Sequence, residues 1–160
     1  DIFIHQRKEV KMAYNGQCLC GNIKFSFEYD PMMHFQCHCN TCQGVWGTSL
    51  SALAMPKHEL TTEGEISTHS ITGGSGMDMH YYFCSNCGVK VYNEPELLGG
   101  MIYIPAGALY NDIEFNPTVE LWSGNRPKWM QKAPTIIESF EDNGTVERIT
   151  ELLENLDQRG

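Results

Sequence analysis

The sequence has no apolar run near the roughly 18 residues that a membrane-spanning helix needs. It is also poor in positive charge: 11 Lys and Arg stand against 20 Asp and Glu, for a formal net charge of −9. Nucleic-acid binding needs a basic face, so this balance argues against it; an acidic surface mainly favours solubility. The order of a secretory signal, charge first and then a long apolar stretch, is missing too, because Ile2-Phe3-Ile4 comes before Arg7, Lys8 and Lys11. There is no repeat of solenoid period. Gln43-Gly44-Val45-Trp46-Gly47-Thr48 is glycine-rich but lacks phosphate-loop spacing. At 160 residues, with 15 glycines and 7 prolines, the chain reads as one domain with many turns. Residue 1 is not Met and Met12 could initiate, so 1–13 reads as a leader or disordered N-terminus.

What the sequence does have is cysteine, and none of it is isolated. The seven cysteines fall into three groups: Cys18-Leu19-Cys20, Cys37-His38-Cys39-Asn40-Thr41-Cys42, and Cys84-Ser85-Asn86-Cys87. An odd count cannot pair fully as disulfides within one chain. Clustered thiols without a signal fit a reducing compartment, and the expected location is cytoplasmic, with the nucleus also open. Cysteines followed by glycine, as in Cys20-Gly21 and Cys87-Gly88, suit zinc knuckles. One zinc takes four thiolates, so seven divides into four plus three. A four-thiolate site is closed and structural, while a three-thiolate site keeps one position for water or substrate.

Joining the two outer pairs splits no segment and clips residue 18 to residue 87. This gives Cys18, Cys20, Cys84 and Cys87 as a closed structural site, and Cys37, Cys39 and Cys42 as an open one, with two Zn2+ per chain. Two alternatives stay open. The trio could borrow a cysteine from a pair, or His34 or His38 could complete it as a structural Cys₃His site. His38 lies between two candidate ligands and is expected to point away, either as a backbone-bonded or surface histidine or as a group that supports a ligand or moves a proton. A redox role for Cys84-x-x-Cys87 lacks the surrounding βαβ pattern.

Alternating apolar and polar residues predict strands over 23–29, 49–55 and 89–92, and further strands are expected over 67–71, 79–83, 101–105 and 118–122. Asn15-Gly16-Gln17 reads as a turn and Thr72-Gly73-Gly74-Ser75-Gly76 as a hairpin tip. Cys42 stands at knuckle reach or in the first turn of a helix. Trp46 reads as core or pocket wall, and His58 and His69 as exposed. Val146, Ile149, Leu152, Leu153 and Leu156 recur at helical steps, with Asn143, Gly144 and Thr145 as cap residues, so a helix is expected over 145–156. The division expected is a zinc-binding domain over 14–132 and a C-terminal extension with a helix over 133–160.

Three motifs jointly resemble the glutathione-dependent formaldehyde-activating enzyme family (the GFA domain, which includes centromere protein V): Gly16-Gln17-Cys18-Leu19-Cys20-Gly21, the Cys37–Cys42 motif, and Phe83-Cys84-Ser85-Asn86-Cys87-Gly88. Ile102-Tyr103-Ile104-Pro105-Ala106-Gly107-Ala108-Leu109 is similar to the family's strand and turn after the last knuckle. The likeness covers residues 14–130. It implies a mainly β fold, a zinc-stapled β-tent of small antiparallel sheets, to which this chain adds its C-terminal helix. It implies a structural zinc on the outer pairs and a catalytic one on Cys37, Cys39 and Cys42. The implied activity is that of a carbon–sulfur lyase, joining glutathione and formaldehyde to give S-hydroxymethylglutathione. The implied partners are therefore a small thiol and a small carbonyl. The chain departs from the family after the trio, where basic residues are common and Gln43-Gly44-Val45 stand here. Lys57, Lys90, Arg126, Lys128 and Lys132 are the candidate cations for an anionic thiol. A competing expectation is a zinc-stabilised protein-binding module, distinguished by a protein side chain at the fourth position on the trio's metal.

Overall fold

The computed structural model of the chain describes residues 13–109 and 112–154. The leader expected at 1–13 lies outside these, Ala13 excepted, as do the last two residues of the predicted helix. The strands are β1 (Tyr14–Gln17), β2 (Lys24–Phe27), β3 (Met33–Cys37), β4 (Leu50–Pro56), β5 (Thr61–Glu63), β6 (Ile66–Thr72), β7 (Asp78–Cys84), β8 (Lys90–Pro95), β9 (Met101–Pro105), β10 (Val119–Leu121) and β11 (Glu138–Ser139). Among the described residues, two α-helices join them, α1 (Asn40–Trp46) and α2 (Val146–Glu154). The chain is thus mainly β, as expected, with a C-terminal helix.

A three-stranded antiparallel sheet has the order β1-β2-β5, and a larger mixed sheet has the order β11-β10-β3-β4-β9-β8-β7-β6. Most neighbours in the larger sheet are antiparallel, but β10 runs parallel to both β3 and β11. That parallel edge was not expected from the sequence. Neither was β1, whose Asn15-Gly16 reads locally as a turn. Gly16 pairs with Phe25 instead, and a Cβ there would sit 2.2 Å from the Phe25 ring.

β4 explains how one sheet serves two cores. Its side chains alternate in direction, and both directions are buried. Leu53 and Met55 join Ile23, Phe25, Ile102 and Ile104 in one cluster. Leu50, Ala52 and Ala54 join Phe35, Val119 and the α2 residues Ile149, Leu152 and Leu153 in the other. Cys18 and Cys84 belong to the first cluster, and Cys37, Cys39 and Cys42 to the second. A nine-residue helix is too short to persist alone in water. α2 is held by burying its apolar stripe, worth roughly 2 kcal/mol per side chain before the cost of ordering the chain. Its start is capped by Thr145, whose Oγ1 accepts from the Arg148 amide at 3.1 Å.

Candidate metal centres and the trio pocket

All seven cysteines are free thiols, and the fold gathers them into the two groups that the segment argument joined. The Sγ atoms of Cys18, Cys20, Cys84 and Cys87 all lie within 4.8 Å of one another. Cys18-Cys20 sits in the turn after β1, where the Cys18 amide donates to the Ile23 carbonyl at 3.1 Å. Cys84 ends β7, and the Gly88 amide donates back to its carbonyl at 2.9 Å, closing the turn that carries Cys87. Sulfurs at about 2.3 Å from one zinc, at tetrahedral corners, lie roughly 3.8 Å apart. Cys18 to Cys20 is 3.5 Å and Cys20 to Cys84 is 3.6 Å. Backbone amides point at the sulfurs: Ile23 N donates to Cys18 at 3.2 Å, and Asn86 N and Cys87 N donate to Cys84 at 3.3 and 3.4 Å. Burial opposes ionisation of Cys18, but the Ile23 amide and the neighbouring thiols outweigh it and bring the Cys18 pKa down to about 6. Spacing and donors both fit a zinc ion held by these four thiolates.

The Sγ atoms of Cys37, Cys39 and Cys42 also lie within 4.8 Å of one another, and all three residues are buried. Cys37 is the last residue of β3. Cys39 caps α1 with an extended backbone, and its Sγ accepts from the Cys42 amide at 3.3 Å, so Cys42 stands in the first helical turn. Gly47 ends this helix in the left-handed region, at φ 74°. Hydrogen bonds from the Cys37 and Cys42 thiols bring the Cys39 pKa down to about 3. The Cys37 thiol, which donates to Cys39, is pushed up to about 12, and Cys42 is raised by its hydrogen bonds with Cys37 first and Cys39 second. This donor set of three soft sulfurs fits zinc with one coordination position left over.

Among the described residues, no histidine or carboxylate joins the trio. His34 stacks on Phe115 with ring centroids 5.7 Å apart, and its Nδ1 accepts from the Asn116 amide at 3.1 Å. His38 points away from the sulfurs, as expected, but it is fully buried and not at the surface. Its Nδ1 meets Ser49 Oγ at 2.6 Å and its Nε2 meets Glu120 Oε2 at 2.9 Å. Glu120 is itself fully buried and accepts from Arg126 Nη2 at 2.6 Å and from Ser139 Oγ at 2.8 Å. Burial alone would raise its pKa, but the donors Arg126, Ser139 and His38 bring it down to about 2. The His38 backbone is tied on both sides, with its amide donating to Leu121 O at 3.0 Å and its carbonyl accepting from Gln43 Nε2 at 2.8 Å. This cluster fixes the segment between Cys37 and Cys39. Sequence reading missed it, although a lone carboxylate in Val119-Glu120-Leu121 was a usable signal.

A pocket opens onto the trio, lined by all three cysteines and mostly by apolar side chains. The β6–β7 tip forms part of its wall: a Cβ on Gly74 would lie 3.4 Å from Cys39 Cβ and 3.5 Å from both Cys39 Sγ and Trp122 Nε1. Trp122 holds the left-handed conformation, at φ 56°, which is uncommon for a bulky residue. Its Nε1 donates to Asn143 Oδ1 at 2.7 Å. Tyr81 and Tyr103 also line the pocket, and burial raises the pKa of both hydroxyls. Trp46 backs Tyr81 edge-on at 6.3 Å. His58 and His69 are exposed, as expected.

Residues 13–125 match the family model described as "Glutathione-dependent formaldehyde-activating enzyme". The chain belongs to this family. All seven cysteines and the Gly74 tip fall inside the matched residues of the formaldehyde-activating family, whereas Asn143 and Ile149, which complete the pocket, lie beyond them. Among solved structures, the chain is similar to a Rhodobacter sphaeroides protein determined as a structural-genomics target. Identity there is 16%, over 64% of this chain and 91% of that one, with a TM-score of 0.47. No curated protein matches the chain. Among the described residues, no helix is long and apolar enough to cross a membrane.

Proposed function

We propose that this chain is a zinc-dependent carbon–sulfur lyase that joins a thiol to formaldehyde or a similar small carbonyl. With glutathione the product is S-hydroxymethylglutathione. One observation carries the reading: three buried thiols converge at the floor of a pocket, and no further protein ligand among the described residues stands with them. Cys37, Cys39 and Cys42 are the catalytic ligands, and Cys18, Cys20, Cys84 and Cys87 the structural ones, for two Zn2+ per chain. A zinc ion on the trio supplies a Lewis acid with a free coordination position. The chain supplies the rest. β3 and the N-terminus of α1 hold the three sulfurs on one side, and the His38–Glu120–Arg126 cluster keeps that segment in place. The apolar walls exclude bulk water, which would otherwise compete for the carbonyl. In the reaction the thiol S–H bond breaks, the S–C bond forms, and the carbonyl oxygen receives the proton. The free thiols fit a cytoplasmic or nuclear location.

The test is ¹³C NMR of labelled formaldehyde with glutathione and zinc-loaded protein. Adduct formation is expected to exceed the uncatalysed rate, and Cys39→Ser to abolish the excess. A fully zinc-loaded wild type that leaves the rate unchanged would refute the enzymatic reading and favour a zinc-stabilised binding module.

A further inference from the structure

The pocket carries information about the thiol as well as about the metal. Its walls include Phe35, Leu50, Met79, Leu97, Tyr103 and Ile149. Among the described residues, the charged side chain lining it is that of the exposed Asp78. The candidate cations are engaged or placed elsewhere. Lys57 pairs with Glu94 at 3.0 Å, Lys90 lies over the Trp46 ring at 5.4 Å, and Arg126 is bound to the buried Glu120. Lys128 and Lys132 are exposed and do not line the pocket. Glutathione carries two carboxylates and one ammonium. The pocket's neutral donors, among them the Tyr81 and Tyr103 side chains, leave a carboxylate without a cation. Moving glutathione's carboxylates into this space would therefore strip their water without a charged partner, and would set them beside another carboxylate.

Resting on the lyase reading above, we infer that the thiol this pocket takes is uncharged and apolar, an alkyl thiol in preference to glutathione. The step balances as R–SH + H₂CO → R–S–CH₂OH. The sulfur's electron pair forms the S–C bond, the carbonyl π pair moves to oxygen, and the thiol proton ends there. The alkyl group R lies against the leucine, isoleucine and methionine side chains, gaining roughly 0.8 kcal/mol per buried methylene. Ile149 comes from α2, beyond the residues matched by the family model, so part of this apolar wall is built from the chain's C-terminal segment.

The experiment compares 1-butanethiol, 2-mercaptoethanol and glutathione with ¹³C-formaldehyde and the zinc-loaded full chain, each corrected for its uncatalysed rate at the same pH. The expected kcat/KM order is butanethiol, then mercaptoethanol, then glutathione, with about a tenfold span or more. That span corresponds to about 1.4 kcal/mol, and the two further methylenes that butanethiol buries relative to mercaptoethanol would supply about that much. Asp78→Lys, at an exposed position on the pocket wall, should raise glutathione relative to butanethiol about fivefold. Glutathione equal to or better than butanethiol overturns the inference and leaves the lyase reading intact. An unchanged ratio in Asp78→Lys also counts against it. No acceleration with any of the three thiols overturns the lyase reading and the inference together.

Discussion

Glu120→Gln tests the internal scaffold of the trio. The substitution keeps the side chain's size and removes a charge that is fully buried and faces four donors, His38 Nε2, Arg126 Nη2 and Nε, and Ser139 Oγ. The carboxyl pKa falls from its ordinary 4.5 to about 2 in the fold. At about 1.36 kcal/mol per unit, that lowering corresponds to about 3 kcal/mol of stability at neutral pH. Breaking one partner of a buried pair costs about 3–5 kcal/mol. Arg126 is partly exposed and water can replace some of its contacts, so the lower figure, about 3 kcal/mol, is expected. For a domain of this size, that lowers Tm by about 6–12 °C. The sign with pH follows from the lowered pKa. The contribution is complete above about 4.5 and is lost as pH falls toward 2. The assay is urea unfolding of zinc-loaded wild type and variant from pH 7 downward. Zinc content is measured at each pH, and only points at which both chains hold the same metal enter the difference, so that it isolates Glu120. A difference under about 1 kcal/mol at pH 7, or one that grows on acidification, would refute the reasoning.

Gly64→Ala should cost about 3 kcal/mol or more. Gly64 has φ +108°, and an added Cβ would fall 2.1 Å from the Asn22 backbone oxygen, beside the Cys18–Cys20 turn. Thermal melting checks this, and a melt like wild type would contradict it. Cys84→Ser removes one of four sulfurs that tie β7 to a turn more than sixty residues earlier. Insoluble or strongly destabilised protein is expected, because the unfolded chain has no preformed cage to bind the metal. Cys39→Ser should stay folded with about one zinc per chain by native mass spectrometry; unfolding of Cys39→Ser would show that the trio is structural.

How much of this was legible in the sequence depended on how local its cause was. Leu50–Pro56 and Met101–Pro105 are short, mostly apolar runs closed by proline, and the expected strands match to within a residue. The trio and each outer pair were legible because short spacing brings thiols together whatever the rest of the chain does, while joining the two outer pairs, more than sixty residues apart, rested on dividing seven thiols into four plus three. The parallel edge was not legible, since pairing Phe35 with Val119 depends on two distant segments meeting. Asn15-Gly16 misled because the reason for that glycine is the Phe25 ring across the pair. Glu120 looked like an ordinary strand residue until Arg126, Ser139 and His38 surrounded it. The pocket was hidden for a similar reason: Gly74 reaches Cys39 only because the β6–β7 hairpin has the length and path to bring its tip there.

The central claim is that one cysteine group holds the fold together and the other does chemistry. Stepwise chelation of zinc-loaded protein tests this most directly, with metal analysis, circular dichroism and the formaldehyde–thiol assay run on the same samples. The trio's sulfurs span six residues and open to a pocket, so its metal closes a small loop and is accessible to a competing ligand. The first zinc is expected to leave with all of the activity while the β-rich spectrum and the cooperative melt persist, and the second only with unfolding. Loss of both metals together with global unfolding, or activity that survives removal of the first zinc, would contradict the account.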